Sequence, residues 1–181
     1  MKRFLLLYIF IIALISACCP EPKELTSKEI EYEKQAIVKV NQAYNKASEN
    51  KNFAQMVETL ADEVIFFGTD SAEVIKTFAD FKAAMLKQWE RYDKMIYGII
   101  ADVYIQMDNS ASTASIIYGV PLTVTEKNNS TSEYYFLRVA RTMKKQRGSW
   151  VISSGIVGIV SQAKTNVPAV EPTSAPEEKK N

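Results

Sequence analysis

The apolar pattern of this chain changes period once, near residue 97, and that switch restricts the fold more than any other feature. Before it, apolar side chains recur at helical spacing. After it they alternate with polar ones every second residue, as strands of a half-buried sheet do. A chain that runs helices first and strands afterwards packs its helices against an antiparallel sheet. That order argues against a helix bundle and against a doubly wound parallel sheet, and for an α+β domain with a curved sheet wrapped around helices.

In the helical part, Ile30, Ile37, Val40, Tyr44 and Ala47 share one face, with Thr26 and Glu29 placed as a capping box. Asn50 to Asn52 break this helix, and Phe53, Met56, Val57 and Leu60 mark a shorter one ending near Ala61. A short strand, Val64 to Phe67, stops at Gly68. Asp70 and Glu73 then read as a helix-start signal, and Phe78 to Tyr92 as a third helix with Phe81, Met85 and Trp89 on one face. Beyond the switch, Ile99 to Met107 alternates and ends at Asp108-Asn109-Ser110. Ala114, Ile116, Tyr118, Val120, Leu122 and Val124 form one face of the next strand. Tyr135, Leu137, Val139, Arg141 and Met143 do the same for a third, closed by Gln146-Arg147-Gly148, and Trp150 to Ser161 gives the last. The expected architecture is three helices followed by a four-strand antiparallel meander.

The ends differ from this domain of residues 28–161. Lys2 and Arg3 precede the apolar run Phe4 to Ile15, which is too short for a comfortable membrane span and reads as an export signal over residues 1–17. Ile15-Ser16-Ala17-Cys18 resembles the lipobox of bacterial lipoproteins, which implies cleavage before Cys18, acylation of its thiol and a lipid-anchored protein of the cell envelope. Residues 18–27 then form a tether. Residues 162–181, with Pro168, Pro172 and Pro176 among charges, read as a disordered tail.

Charge excludes further classes. The 22 basic and 21 acidic side chains nearly balance, and removing Lys2 and Arg3 leaves 20 against 21, so nucleic acid is not an expected partner. The chain has no histidine, and its only cysteines are the adjacent Cys18 and Cys19. Histidine-based triads, a domain disulfide and a thiolate metal cluster are therefore not expected.

Asn41-Gln42-Ala43-Tyr44, then Leu60 to Asp70, then Gly148-Ser149-Trp150-Val151-Ile152, in this order and spacing, resemble the SnoaL-like branch of the nuclear transport factor 2-like superfamily over residues 28–161. The resemblance implies a cone, three N-terminal helices packed on a strongly curved antiparallel sheet, enclosing a pocket. No cofactor is expected. Many relatives place histidines four and six residues after the last-strand tryptophan, and here those positions are Ser154 and Ile156.

Candidate site residues follow. Asp102 and Asp70 are the carboxylates that a proton-transfer role would use, although Asp102 also reads as a solvated strand residue and Asp70 as a cap. Tyr44, Trp89, Tyr118, Trp150 and Ser154 are candidates for lining a ligand pocket. Tyr104 is a further aromatic of this kind. Arg141 shares a strand face with Leu137, Val139 and Met143, where it binds an anionic ligand, reaches solvent near the strand end or, as the favoured reading, pairs structurally with an internal carboxylate. The favoured function is non-catalytic binding of a small apolar ligand or a protein partner. The alternatives are a cofactor-free isomerase, cyclase or hydrolase using a pocket aspartate and tyrosine, and a structural homodimer. A buried aspartate bonded to a tyrosine would mark the enzyme, and a large exposed apolar sheet face would mark assembly.

Overall fold

The computed structural model describes residues 24–69, 73–128 and 132–160. The expected export signal, Cys18, Asp70 and the tail from 162 lie outside the described residues. The elements are α1 (Ser27–Glu49), α2 (Phe53–Glu58), β1 (Leu60–Phe67), β2 (Val74–Ile75), α3 (Phe78–Arg91), β3 (Tyr92–Tyr97), β4 (Ala101–Met107), β5 (Thr113–Glu126), β6 (Ser132–Gln146) and β7 (Ser149–Ile159).

The α1 helix starts at the expected capping box: Thr26 accepts from the Glu29 amide, and the Glu29 carboxylate accepts from the Thr26 amide at 2.8 Å. It ends at Asn50, after which Lys51 takes a positive φ of 52°. Lys51 reaches across to donate to the Tyr92 carbonyl at 2.8 Å, tying this turn to the end of α3. The α2 helix is shorter than expected because Thr59 caps it, leaving Leu60 and Ala61 to begin β1. The α3 helix is capped by Thr77 and Asp80, downstream of the expected Asp70 and Glu73 signal. It passes directly into β3, a strand that helical periodicity hides because no glycine or asparagine separates the two.

The strand order is β2-β1-β7-β6-β5-β3, with β4 also paired to β5. The meander β4-β5-β6-β7 is antiparallel throughout, while β1 joins β7 in parallel. Arg147 and Gly148, both at positive φ, form the tight turn between β6 and β7.

The strongly curved, cone-like sheet is not what forms. The sheet is an open path whose ends, β2 on one side and β3 with β4 on the other, do not meet. Two local features keep the edges short. β2 pairs with β1 through only Ile75 and Val74. On the other edge β3 covers Leu122 to Glu126 of β5 and β4 covers Ala114 to Gly119, so the edge is split at Pro121. Proline has no amide to offer an edge partner, and Gly98, between the two strands, instead donates to the Pro121 carbonyl at 2.8 Å.

The core lies between the helices and one face of this sheet. Alternation along β5 buries Ala114, Ile116, Tyr118, Val120, Leu122 and Val124, and along β6 it buries Leu137, Val139, Arg141 and Met143. Phe81 of α3 joins the layers, its ring 5.6 Å from Phe66 of β1, 5.9 Å from Phe53 of α2 and 6.5 Å from Tyr44 of α1.

Candidate functional site

The apolar interior contains one polar seam. On α1, Asn41, Asn45 and Ser48 fall at helical spacing on the face that also carries Ile37, Tyr44 and Ala47, and all are buried. Opposite Asn41, β6 presents Arg141, 7% exposed. Arg141 donates to the Asn41 Oδ1 at 2.9 Å, while the Asn41 amide donates to the Ile37 carbonyl at 2.8 Å. Asn41 is thereby oriented with its oxygen toward the arginine. The guanidinium lies 4.1 Å from the Tyr44 ring centre and 5.9 Å from that of Tyr118.

The sheet makes room for this side chain. Ile105, Ile116, Arg141, Gly155 and Phe66 form one row across β4, β5, β6, β7 and β1. A Cβ on Gly155 would stand 3.0 Å from the Arg141 Cγ and 3.2 Å from Phe66, so the glycine lets the arginine lie across β7. Burial pushes the phenols of Tyr44, Tyr97 and Tyr118 up, against the opposing pull of the Arg141 charge. They remain protonated donors near neutral pH. The Tyr118 hydroxyl is buried with no hydrogen-bond partner among the described residues. The cluster is thus a cation and a phenol in apolar surroundings, suited to polarising an oxygen or holding an oxyanion.

Of the other sequence candidates, Trp150 belongs to a separate contact at the start of α1. Its indole donates to Glu33 at 2.6 Å, and Lys145 donates to the same carboxylate at 2.5 Å. Burial would raise the Glu33 carboxyl, but these two donors hold it below its ordinary value. Trp89 is buried on α3 with its indole nitrogen unpartnered among the described residues. Ser154 pairs with Ile65 and Thr142, and Ile156 with Phe67 and Ala140, all on the sheet face away from the helices. Asp102 sits at a positive φ of 50° in a bulge of the β4 edge, where it is exposed and pairs with Arg138 at 2.8 Å. Tyr44, Tyr118 and Arg141 are therefore brought together, whereas Trp150, Ser154 and Asp102 are not part of their cluster. Asn41 was missed as a site residue; its signal was an amide at a core-face position of an amphipathic helix.

The internal carboxylate favoured as the partner of Arg141 does not appear: among the described residues no ion pair includes it. Nor do the described residues gather three His, Cys, Asp or Glu side chains as a metal site would. A groove of about 510 Å³ runs between α1 and β4; its lining includes Glu31, Lys34, Lys39, Val38, Gln42 and Ile105 and none of Asn41, Tyr44, Tyr118 or Arg141. Ile105 is two strands from Arg141 in the same row, about 10 Å at ordinary strand spacing.

The family model of the SnoaL-like domain matches residues 37–156. Among solved structures, a protein assigned as a scytalone dehydratase from Novosphingobium aromaticivorans superposes with a TM-score of 0.69 at 11% identity, covering 84% of this chain and 100% of that one. A hexachlorocyclohexane dehydrochlorinase from Novosphingobium barchaimii gives 0.65 at 11% identity, covering 74% and 90%. A protein assigned as a calcium/calmodulin-dependent kinase II association domain, from Xanthomonas campestris, gives 0.61 at 16%, covering 70% and 87%. At such identities the likeness is one of fold. No curated protein matches the chain in sequence.

Proposed function

Because the chain belongs to the SnoaL-like domain family, we propose that it receives a small molecule against Asn41, Tyr44, Tyr118 and Arg141 and acts on it by polarising an oxygen. The observation that carries this reading is the buried Arg141 held by Asn41 and two tyrosine rings instead of a carboxylate. A charge taken out of water without an opposite charge is costly to the fold, and such a cost persists where function needs the charge. In this reading Arg141 and the Tyr118 hydroxyl hydrogen-bond a substrate oxygen and stabilise negative charge on it. The solved structures of similar fold include ones named as a dehydratase and a dehydrochlorinase, which favours this cofactor-free enzyme over pure binding. Asp102, on the outer edge, has no part in it.

The test is to incubate the full chain with a small-molecule extract of a bacterial culture and follow the mixture by mass spectrometry. A compound enriched on, or converted by, the wild-type chain and spared by Asn41→Leu and Tyr118→Phe is the expected result. Equal behaviour of wild type and variants would contradict the site.

A second reading is assembly with another copy of the chain. Phe67, Ile156, Ala140, Ile117 and Tyr104 form one row on the outer sheet face, and Phe67, Ile156, Ile117 and Tyr104 are among the exposed large hydrophobics. Sedimentation of the full chain and of Ile117→Lys tests it: a dimer lost in the variant supports the reading, and a monomer in both removes it. Export and lipid anchoring at Cys18 belong to the same proposal, supported by Lys2, Arg3, the apolar run and the small residues before Cys18.

A further inference from the structure

Resting on the interior cluster as a small-molecule site, we propose that its ligand is a monoanion, a carboxylate on an apolar or aromatic body, bound by its head group to Arg141 and Tyr118. A guanidinium is charged at every physiological pH and carries five N–H donors. Among the described residues Arg141 uses one of them, toward Asn41 at 2.9 Å, and meets no carboxylate. The rings of Tyr44 and Tyr118 attract the cation but accept no planar pair of hydrogen bonds. What matches the unused donors is a carboxylate, whose two oxygens take parallel bonds from an arginine and keep lone pairs for a third donor.

A third donor is in place. The Tyr118 hydroxyl is buried without a partner among the described residues, and burial keeps it protonated. Its ring centre is 5.9 Å from the guanidinium. Two features fix the arginine beforehand: Asn41, itself anchored to the Ile37 carbonyl, and the missing side chain at Gly155. Asn41 is thus a positioning residue. One guanidinium balances one charge, and no other basic side chain among the described residues is fully buried beside it, so a carboxylate fits better than a phosphate dianion. The rings beside the guanidinium, Tyr44 and Tyr118, favour a ligand body that is apolar and flat.

The experiment compares benzoate with benzamide, which has the same shape and no charge, by thermal shift and ligand-observed NMR on the full chain. Benzoate is expected to stabilise the protein and to bind at least tenfold more tightly than benzamide. Tyr118→Phe should weaken benzoate several-fold without lowering the melting temperature. Arg141→Met should abolish the benzoate effect, and because it strands the Asn41 oxygen it is paired with the double variant Asn41→Leu/Arg141→Met, which removes both partners and should melt at the wild-type temperature or above it without ligand. A double variant that melts well below wild type would show a structural arginine. If both compounds bind equally and Tyr118→Phe weakens both, the anion inference is overturned and the small-molecule site stands. If neither binds at millimolar concentration, both fail. Should Arg141→Met not fold, the benzoate-to-benzamide ratio and Tyr118→Phe still decide.

Discussion

Two cations on β6 face the same helix and are treated in opposite ways. Near the start of α1, Lys145 meets Glu33 at 2.5 Å, and Trp150 completes the carboxylate's bonding from the neighbouring strand. Eight residues further along α1, about 12 Å at the helical rise, Arg141 meets the neutral Asn41 and two tyrosine rings. The first contact is closed: each charge has its opposite. The second leaves a deeper cation without one. Both cations project from β6 toward α1, and the more deeply buried of the two is the one without an opposite charge. The lesson is that a neutralised pair acts as a stabilising clamp, whereas the buried cation left without an opposite charge is where we propose that a ligand binds.

The largest expected effect breaks the closed side of this comparison. Glu33→Ala strands a half-buried ammonium and leaves the Trp150 indole without its acceptor, and should cost about 2 kcal/mol in denaturant unfolding. A change below about 0.5 kcal/mol, ordinary for a surface substitution, would show that the clamp contributes nothing.

Gly155→Ala sharpens the open side. Its Cβ would press on the Arg141 Cγ at 3.0 Å and on the Ala140 carbonyl at 3.2 Å. Strain of about 1 kcal/mol is expected, together with displacement of the guanidinium visible as changed Tyr44 and Tyr118 side-chain NMR shifts. Unchanged shifts would mean that the glycine does not set the arginine's course.

Acid separates the two contacts next. The Glu33 carboxyl is held below its ordinary value of 4.5 in the folded chain. Its stabilisation is therefore complete above pH 4.5 and is lost as pH falls through the lowered folded value. Stability measured from neutral to acid pH should thus fall less steeply in Glu33→Gln than in wild type, and parallel curves would contradict the clamp's electrostatic role.

The smallest effect belongs to a third cation, Arg138, paired with Asp102 in the open at the sheet edge. Asp102→Asn should change stability by no more than about 0.5 kcal/mol. A larger loss would mean that the bulged edge depends on this pair.

Much of this arrangement could be read from the residues. Alternation in Ala114 to Val124 and in Leu137 to Met143 fixed which side chains face the helices, Arg141 among them, and the Thr26 and Glu29 box fixed where α1 begins. Alternation states a face and not a partner. For that reason the pattern favours an internal carboxylate beside Arg141, whereas an asparagine from α1 is the observed neighbour. The parallel pairing of β1 with β7 and the direct step from α3 into β3 depend on contacts far apart in the chain. Curvature escapes the pattern for a similar reason. The same two-residue period suits a closed or an open sheet, and the split edge at Pro121 depends on which strands lie beside it.

The most direct test of the central claim, that the interior cluster is a ligand site and not filled core, is native mass spectrometry of the full chain purified gently from cells that produce it, with Arg141→Met as its partner. The account predicts a stoichiometric small-molecule adduct on the wild type that is absent from the variant. An identical, adduct-free mass profile for both proteins would contradict it.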